Sequence, residues 1–239
     1  MVRLEVCAGG VEGAVLAAAA GASRIELNSG LSTGGLTPSP GVVSETLKEL
    51  SVPVAVMLRP RAGGFVYSAG EKRAILYDME RALGLGADSI VFGALLPGDQ
   101  PDFDFVSLVR KEAGRARVVF HRAIDLTPDP VAVLEDLIGL GIDGFLTSGG
   151  KGTAWEGRFT LREMVLASGG SVEIIAASGI SSANAAGLAS ITGCRWLHGS
   201  FTAGGKGEHC GGIVPPGDPD PSPGEISKTL RSLDEIVEN

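Results

Sequence analysis

The sequence predicts a single (β/α)8 barrel of the TIM type over residues 1–239, and three observations predict it. A helix-to-strand junction recurs along the chain. Strand candidates follow one another at crossover spacing. The composition, 44% hydrophobic with 20% charged residues, suits strands covered by helices on one side and packed on the other.

The junction is a helical stretch, a glycine, one or two polar residues and a short β-branched run. It reads Gly21-Ala22-Ser23-Arg24-Ile25-Glu26-Leu27, then Gly86-Ala87-Asp88-Ser89-Ile90-Val91-Phe92, then Gly141-Ile142-Asp143-Gly144-Phe145-Leu146, and more loosely Gly193-Cys194-Arg195-Trp196-Leu197-His198. Glycine ends a helix by adopting the left-handed conformation, and the strand begins within a few residues. Such repetition marks stacked βα units. The intervening sequence completes eight strand candidates: Leu4–Cys7, Arg24–Leu27, Val54–Leu58, Ser89–Phe92, Arg117–His121, Gly144–Thr147, Val172–Ala176 and Trp196–His198. Their starts lie roughly 20 to 35 residues apart, as parallel crossovers require.

Helical periodicity fills the gaps. Glu71–Leu85 places Ile75, Met79, Ala82 and Leu83 on one side, and Pro130–Leu140 opens on proline and aligns Val131, Leu134, Leu137 and Ile138. Ser222–Val237 closes the chain with Ile226, Leu230 and Leu233 on one face. A Gly/Pro-rich loop at about 200–223 precedes it, long enough to suggest function. An open sheet of eight parallel strands is the competing architecture, but neither a G-x-G-x-x-G turn nor a phosphate-binding Walker loop is present to favour it.

A net charge of −8 excludes a basic nucleic-acid face, and no basic amphipathic segment suggests a membrane surface. The apolar stretch Val15–Ala20 follows Glu5 and Glu12 rather than a basic segment, so it reads as a helix of a cytoplasmic protein and not a leader. Cys7, Cys194 and Cys210 are widely spaced and odd in number, which fits reduced thiols.

Alternation along the strands assigns polar residues to the barrel interior. Leu4 and Val6 suit the helix side, leaving Glu5 and Cys7 inward; Ile25 and Leu27 leave Glu26 and Asn28 inward. The same parity turns Met57 and Arg59, then His121, then Trp196 and His198, toward the axis. Barrel interiors are normally filled by aliphatic layers, so Glu5, Glu26, Arg59, His121 and His198 point to a site at the carboxyl ends of the strands. The two glutamates from neighbouring strands need relief by Arg59, by a proton or by a bound cation. Arg59 and Arg61 suit an anionic ligand, the loop Gly63–Tyr67 offers an aromatic cover, and the donor-rich loops bearing Ser148 and Ser200 add hydrogen bonds. As an enzyme, such a barrel would use Glu5 or Glu26 as base and His121 or His198 as acid on a small anionic substrate. A non-catalytic binding protein would use the same pocket.

Taken in order, Leu4-Glu5-Val6-Cys7, Arg24-Ile25-Glu26-Leu27, Gly34–Ser39, Met57-Leu58-Arg59-Pro60-Arg61, Phe65-Val66-Tyr67, Val91–Leu95, Phe120-His121-Arg122-Ala123 with Asp125, and Leu146–Gly150 resemble the copper-homeostasis protein CutC family. The resemblance implies a TIM-type barrel, a cytoplasmic location, a homodimer and copper handling. Asp125 then joins Arg59, Arg61, Ser148 and Ser200 as a substrate-binding position. The resemblance also implies copper-ligating cysteines at the ends of strands one and two. Cys7 occupies the first position, whereas Asn28 occupies the second and offers no soft donor. In a closed barrel His198 neighbours Cys7, and His209 and Cys210 are further donors in the glycine-rich loop.

Overall fold

In a computed structural model, which describes residues 1–202 and 219–235, eight parallel strands close into a barrel in the order β1 to β8. The elements alternate: β1 (Arg3–Ala8), α1 (Val11–Ala19), β2 (Arg24–Leu27), α2 (Pro40–Glu49), β3 (Val54–Met57), α3 (Ala69–Gly84), β4 (Ser89–Phe92), α4 (Phe103–Glu112), β5 (Arg117–Phe120), α5 (Leu134–Gly139), β6 (Gly144–Thr147), α6 (Arg158–Ser168), β7 (Glu173–Ala177), α7 (Ala185–Thr192), β8 (Trp196–Gly199) and α8 (Pro223–Asp234). β1 pairs with both β2 and β8, which removes the open-sheet alternative. The four glycines of the recurrent junction, Gly21, Gly86, Gly141 and Gly193, all have positive φ, so the repeat is a conformational one.

Parity along each strand divides the core in two. Leu4, Val6, Ile25, Leu27, Val54, Val56 and their counterparts pack outward against the helices. Ala55, Met57, Val91, Val119, Leu146, Ile175, Ala177 and Trp196 fill the barrel itself. β1, β2 and β8 add Glu5, Cys7, Arg24, Glu26 and His198 to the interior beside Trp196, so the apolar filling is interrupted there. This register sets Glu5 opposite His198 and Cys7 opposite Glu26.

Helix starts follow capping chemistry. Ser39 and Ser222 accept from the backbone N–H groups of Val42 and Glu225, each with proline in the following turn. At α3, Ser68 and Glu71 form a reciprocal capping box. The fifth helix begins at Leu134 rather than Pro130, because the Asp129 carboxylate draws the N–H groups of Val131 and Ala132 into a turn. The seventh strand sits one residue later than its periodicity suggests, and the Val237 end expected for α8 and most of the Gly/Pro-rich loop lie outside the described residues. No helix among the described residues is long and apolar enough to cross a membrane.

Candidate metal centre

The carboxyl ends of β8, β1 and β2 bring Cys7, Glu26 and His198 together, one donor atom of each lying within 4.8 Å of the others, all buried. Beneath them sits Glu5, only 1% exposed. Its Oε1 lies 2.8 Å from His198 Nδ1, and Arg24 Nε donates to its Oε2. His198 Nε2 then faces Glu26 Oε2 at 3.7 Å, while Asn28 Nδ2 donates to that same oxygen at 2.8 Å. Both donor side chains are thus oriented from behind, His198 by Glu5 and Glu26 by Asn28, the arrangement that fixes imidazole and carboxylate ligands at metal sites.

Burial and charge act against each other in this group. Burial raises the Glu5 carboxyl, but the hydrogen bond with His198 and the Arg24 charge outweigh it and hold the group at about 2. Burial also raises Glu26, reinforced by the negative charge of Glu5 and opposed by His198. Burial would lower His198, yet the Glu26 carboxylate, the Cys7 sulfur and the Glu5 hydrogen bond raise it well above the usual imidazole value. A proton on His198 therefore makes two buried carboxylates compatible, as a metal cation would.

Across the axis, β5 and the loop after β3 build a second wall. His121 Nδ1 accepts from the Ala123 N–H at 3.1 Å, which places the ring proton on Nε2. Burial and the nearby Arg59 lower this imidazole to about 3, so it is neutral near pH 7. The residue expected as one of two candidate acids thus offers an uncharged Nε2–H. Gly93 is required beside it, since a Cβ there would sit 2.4 Å from His121 Nδ1. Phe65 lies 4.6 Å from the His121 ring, centroid to centroid, and the Arg59 guanidinium carbon lies over the Phe65 ring, 5.2 Å from its centroid.

Arg59 faces inward as its parity suggests, but it does not relieve the glutamates. Its Nη1 donates to the carbonyls of Thr33 and Gly35, both at 2.9 Å, and its Nη2 to Gly63 at 2.7 Å, so it ties two loops together. Arg24 supplies the countercharge instead. The sequence carries that signal, because Arg24, Glu26 and Asn28 share one parity.

Arg61 turns away from the mouth: its Nε pairs with Glu71, and its remaining nitrogens reach the carbonyls of Ala62, Gly64 and Val66. Asp125 and Ser148 are likewise held by each other. The Asp125 carboxylate accepts from Thr147 Oγ1 at 2.6 Å, from the N–H groups of Ser148 and Gly150 at 3.0 Å, and from Ser148 Oγ at 2.9 Å. It also pairs with Arg122 Nε at 2.9 Å, clamping the β5 and β6 loops. Ser200 lines the cavity, and His209 and Cys210 lie outside the described residues.

Between the walls lies a cavity of about 700 Å³, entered from the carboxyl end and bordered by Cys7, Glu26, Asn28, Arg59, His121 and His198. Among the described residues, the buried polar atoms Glu26 Oε1, Asn28 Oδ1, Arg59 Nε and His121 Nε2 have no hydrogen-bond partner, as is true of the Tyr67 hydroxyl and of atoms of Arg24, Thr46 and Arg117 away from this cavity.

Comparison with known proteins agrees with this geometry in fold and family. A Treponema denticola family protein CutC is 40% identical over 245 residues, spanning 97% of this chain and 99% of its own. A Xanthomonas campestris family protein CutC is 42% identical over 197 residues, 82% of each chain. A solved structure from Streptococcus agalactiae, named for CutC and copper homeostasis, superposes with a TM-score of 0.80 at 31% identity, covering 84% of this chain and 99% of that one. Phosphoribosylanthranilate isomerase from Thermotoga maritima shares the barrel at a TM-score of 0.60 and 16% identity, a likeness of fold alone. The CutC family model matches residues 2–203, from β1 through the end of β8, and the chain belongs to the CutC family.

Proposed function

We propose that this protein binds a copper ion through Cys7, Glu26 and His198, and that its role lies in copper homeostasis, as the name of the streptococcal relative suggests for that protein. The observation carrying the proposal is the convergence of a thiol, an imidazole and a carboxylate within 4.8 Å in a buried acidic recess. The donor set fits copper through one soft ligand. Cu(I) favours thiolate, imidazole is a serviceable second ligand, and the Met57 thioether borders the same cavity. The second thiol implied by family resemblance is replaced by Asn28, whose amide supports Glu26 instead. Cys7 and His198 would hold the ion, Glu26 would complete the set, and Glu5 would keep the imidazole turned toward it.

Titration with Cu(I) against a chromophoric competing chelator tests this. One ion per chain is expected, with affinity falling about 100-fold or more in Cys7→Ser while Cys210→Ser leaves it unchanged. Uptake that is indifferent to Cys7→Ser and Glu26→Gln, or no stoichiometric uptake at all, overturns the assignment. The alternative is acid–base catalysis, in which Glu26 serves as base and His198 as acid on a substrate in the cavity. It is favoured by the unpaired polar atoms around a space far larger than one ion.

A further inference from the structure

The amino end of the barrel gathers arginines from four places: Arg3 on β1, Arg24 on β2, Arg117 on β5 and Arg195 just before β8. The carboxylates facing them are each engaged. Glu5 accepts from Arg24, and one oxygen of Glu173 serves both Arg24 at 3.0 Å and Arg117 at 2.9 Å. Asp143 pairs with Arg110 at 3.0 Å and takes the Val118 amide, and Asp88 takes the Val54 amide. Two guanidiniums are left over. Among the described residues, the side chains of Arg3 and Arg195 meet neither a carboxylate nor a hydrogen-bond acceptor, and Arg3 only lies over the Trp196 ring, 5.5 Å from its centroid. Both are exposed, and the β1–β8 pairing holds them together, since the Arg3 N–H donates to the Arg195 carbonyl at 2.9 Å. With Arg117 they border one recess of about 800 Å³, set beside the ion pairs between the amino ends of β7 and β8 and the end of α6. Neither arginine caps that helix: the amides of Gly169 and Ser171 meet the carbonyls of Leu166 and Ser168.

We infer that this recess binds the phosphate ester of a small molecule, its phosphoryl oxygens accepting from Arg3 and Arg195 while Arg117 adds positive charge. Guanidiniums recognise phosphate through paired N–H donors, and a phosphoryl group offers three oxygens where a carboxylate offers two. Concave sites with apolar walls focus the field of such charges, and Val165, Val172 and Ile174 supply those walls. The volume lies in the range of small-molecule sites. A nucleic-acid strand suits the same feature poorly, because a long polyanion would meet the field of a chain whose net charge is −8. The recess is at the opposite end of the barrel from Cys7, Glu26 and His198, and the inference rests on no part of the copper reading.

Calorimetry at constant ionic strength, set with potassium chloride, tests the inference with inorganic phosphate, ribose 5-phosphate and glucose 6-phosphate as probes. At least one sugar phosphate is expected to bind saturably, with ribose and glucose about tenfold or more weaker. Arg3→Gln and Arg195→Gln remove exposed side chains that hold no ion pair, and each is expected to weaken binding about tenfold or more. Arg195→Lys, which keeps the charge without the fork of donors, should recover part of the loss. The location is read separately. The chain has two tryptophans, so Trp155→Phe leaves Trp196, beside Arg3, as the reporter, and its emission should change with the same midpoint as the heat. Saturable binding by neither sugar phosphate, full affinity in Arg3→Gln and Arg195→Gln, or unmoved Trp196 emission at saturation overturns the inference. Copper uptake is expected to be unaltered in both glutamine variants, so either reading can fail while the other stands.

Discussion

At the amino end of the barrel, Arg24 bridges Glu5 and Glu173, Arg117 reaches the same Glu173 carboxylate at 2.9 Å, and the Trp196 ring lies 4.0 Å from the Arg24 guanidinium carbon and 5.5 Å from that of Arg3. At the carboxyl end, Glu26, Asn28, Arg59 and His121 surround an open cavity of about 700 Å³. The lower network ties β1, β2, β5 and β7 to one another, although Arg24 and Arg117 keep unpartnered nitrogens there, whereas the upper residues surround a space of ligand size. Ion pairs between strands at one mouth and a ligand-sized space at the other match the division between stability and site that this fold commonly has.

Breaking the lower network should give the largest effect on folding. Arg24→Met leaves Glu5 buried without its guanidinium and is expected to cost about 3–5 kcal/mol by urea unfolding. His121→Leu, at the upper mouth, removes an unpartnered N–H and the acceptor of the Ala123 amide, and should cost about 1–3 kcal/mol. Equal losses in the two variants would erase the contrast.

Acid should expose the same contrast through Glu5. Its carboxyl is held at about 2 in the folded chain against an ordinary value of 4.5, so its contribution is present above pH 4.5 and lost as pH falls from there toward 2. The shift corresponds to on the order of 3 kcal/mol. Unfolding free energy measured across that window should fall less steeply in Glu5→Gln; an unchanged slope would place the acid sensitivity elsewhere. The smallest effect belongs to neither mouth. Ser68→Ala removes half of the α3 capping box and should cost about 1 kcal/mol, read as a small drop in thermal midpoint with copper uptake unaltered.

The sequence made the barrel legible because both signals behind it are local. A glycine forced into the left-handed region and a β-branched run after it are visible in eight residues, and all four junction glycines adopt that conformation. Side-chain parity was equally readable, and it turned Glu5, Glu26, Asn28 and His198 toward one interior. Partnership was not readable. Arg59 and Arg61 follow the same strand, yet loop carbonyls and Glu71 hold them, and only the folded chain brings those acceptors near. His121 and His198 have the same parity and opposite charge behaviour, because one ring meets a backbone N–H and Arg59 while the other meets carboxylates. Charge state depends on neighbours across the barrel, which no local pattern encodes.

The Asp125 clamp has a dynamic corollary. Asp125 belongs to the same short turn as Ala123, whose amide holds His121, and it grips the amides of Ser148 and Gly150 two elements away. Whatever steadies the His121 ring also steadies that turn, and with it a segment remote from the guest. Deuterium uptake at residues 148–150 should therefore slow when the cavity fills, making the β6 loop a reporter of occupancy that no ligand has to touch.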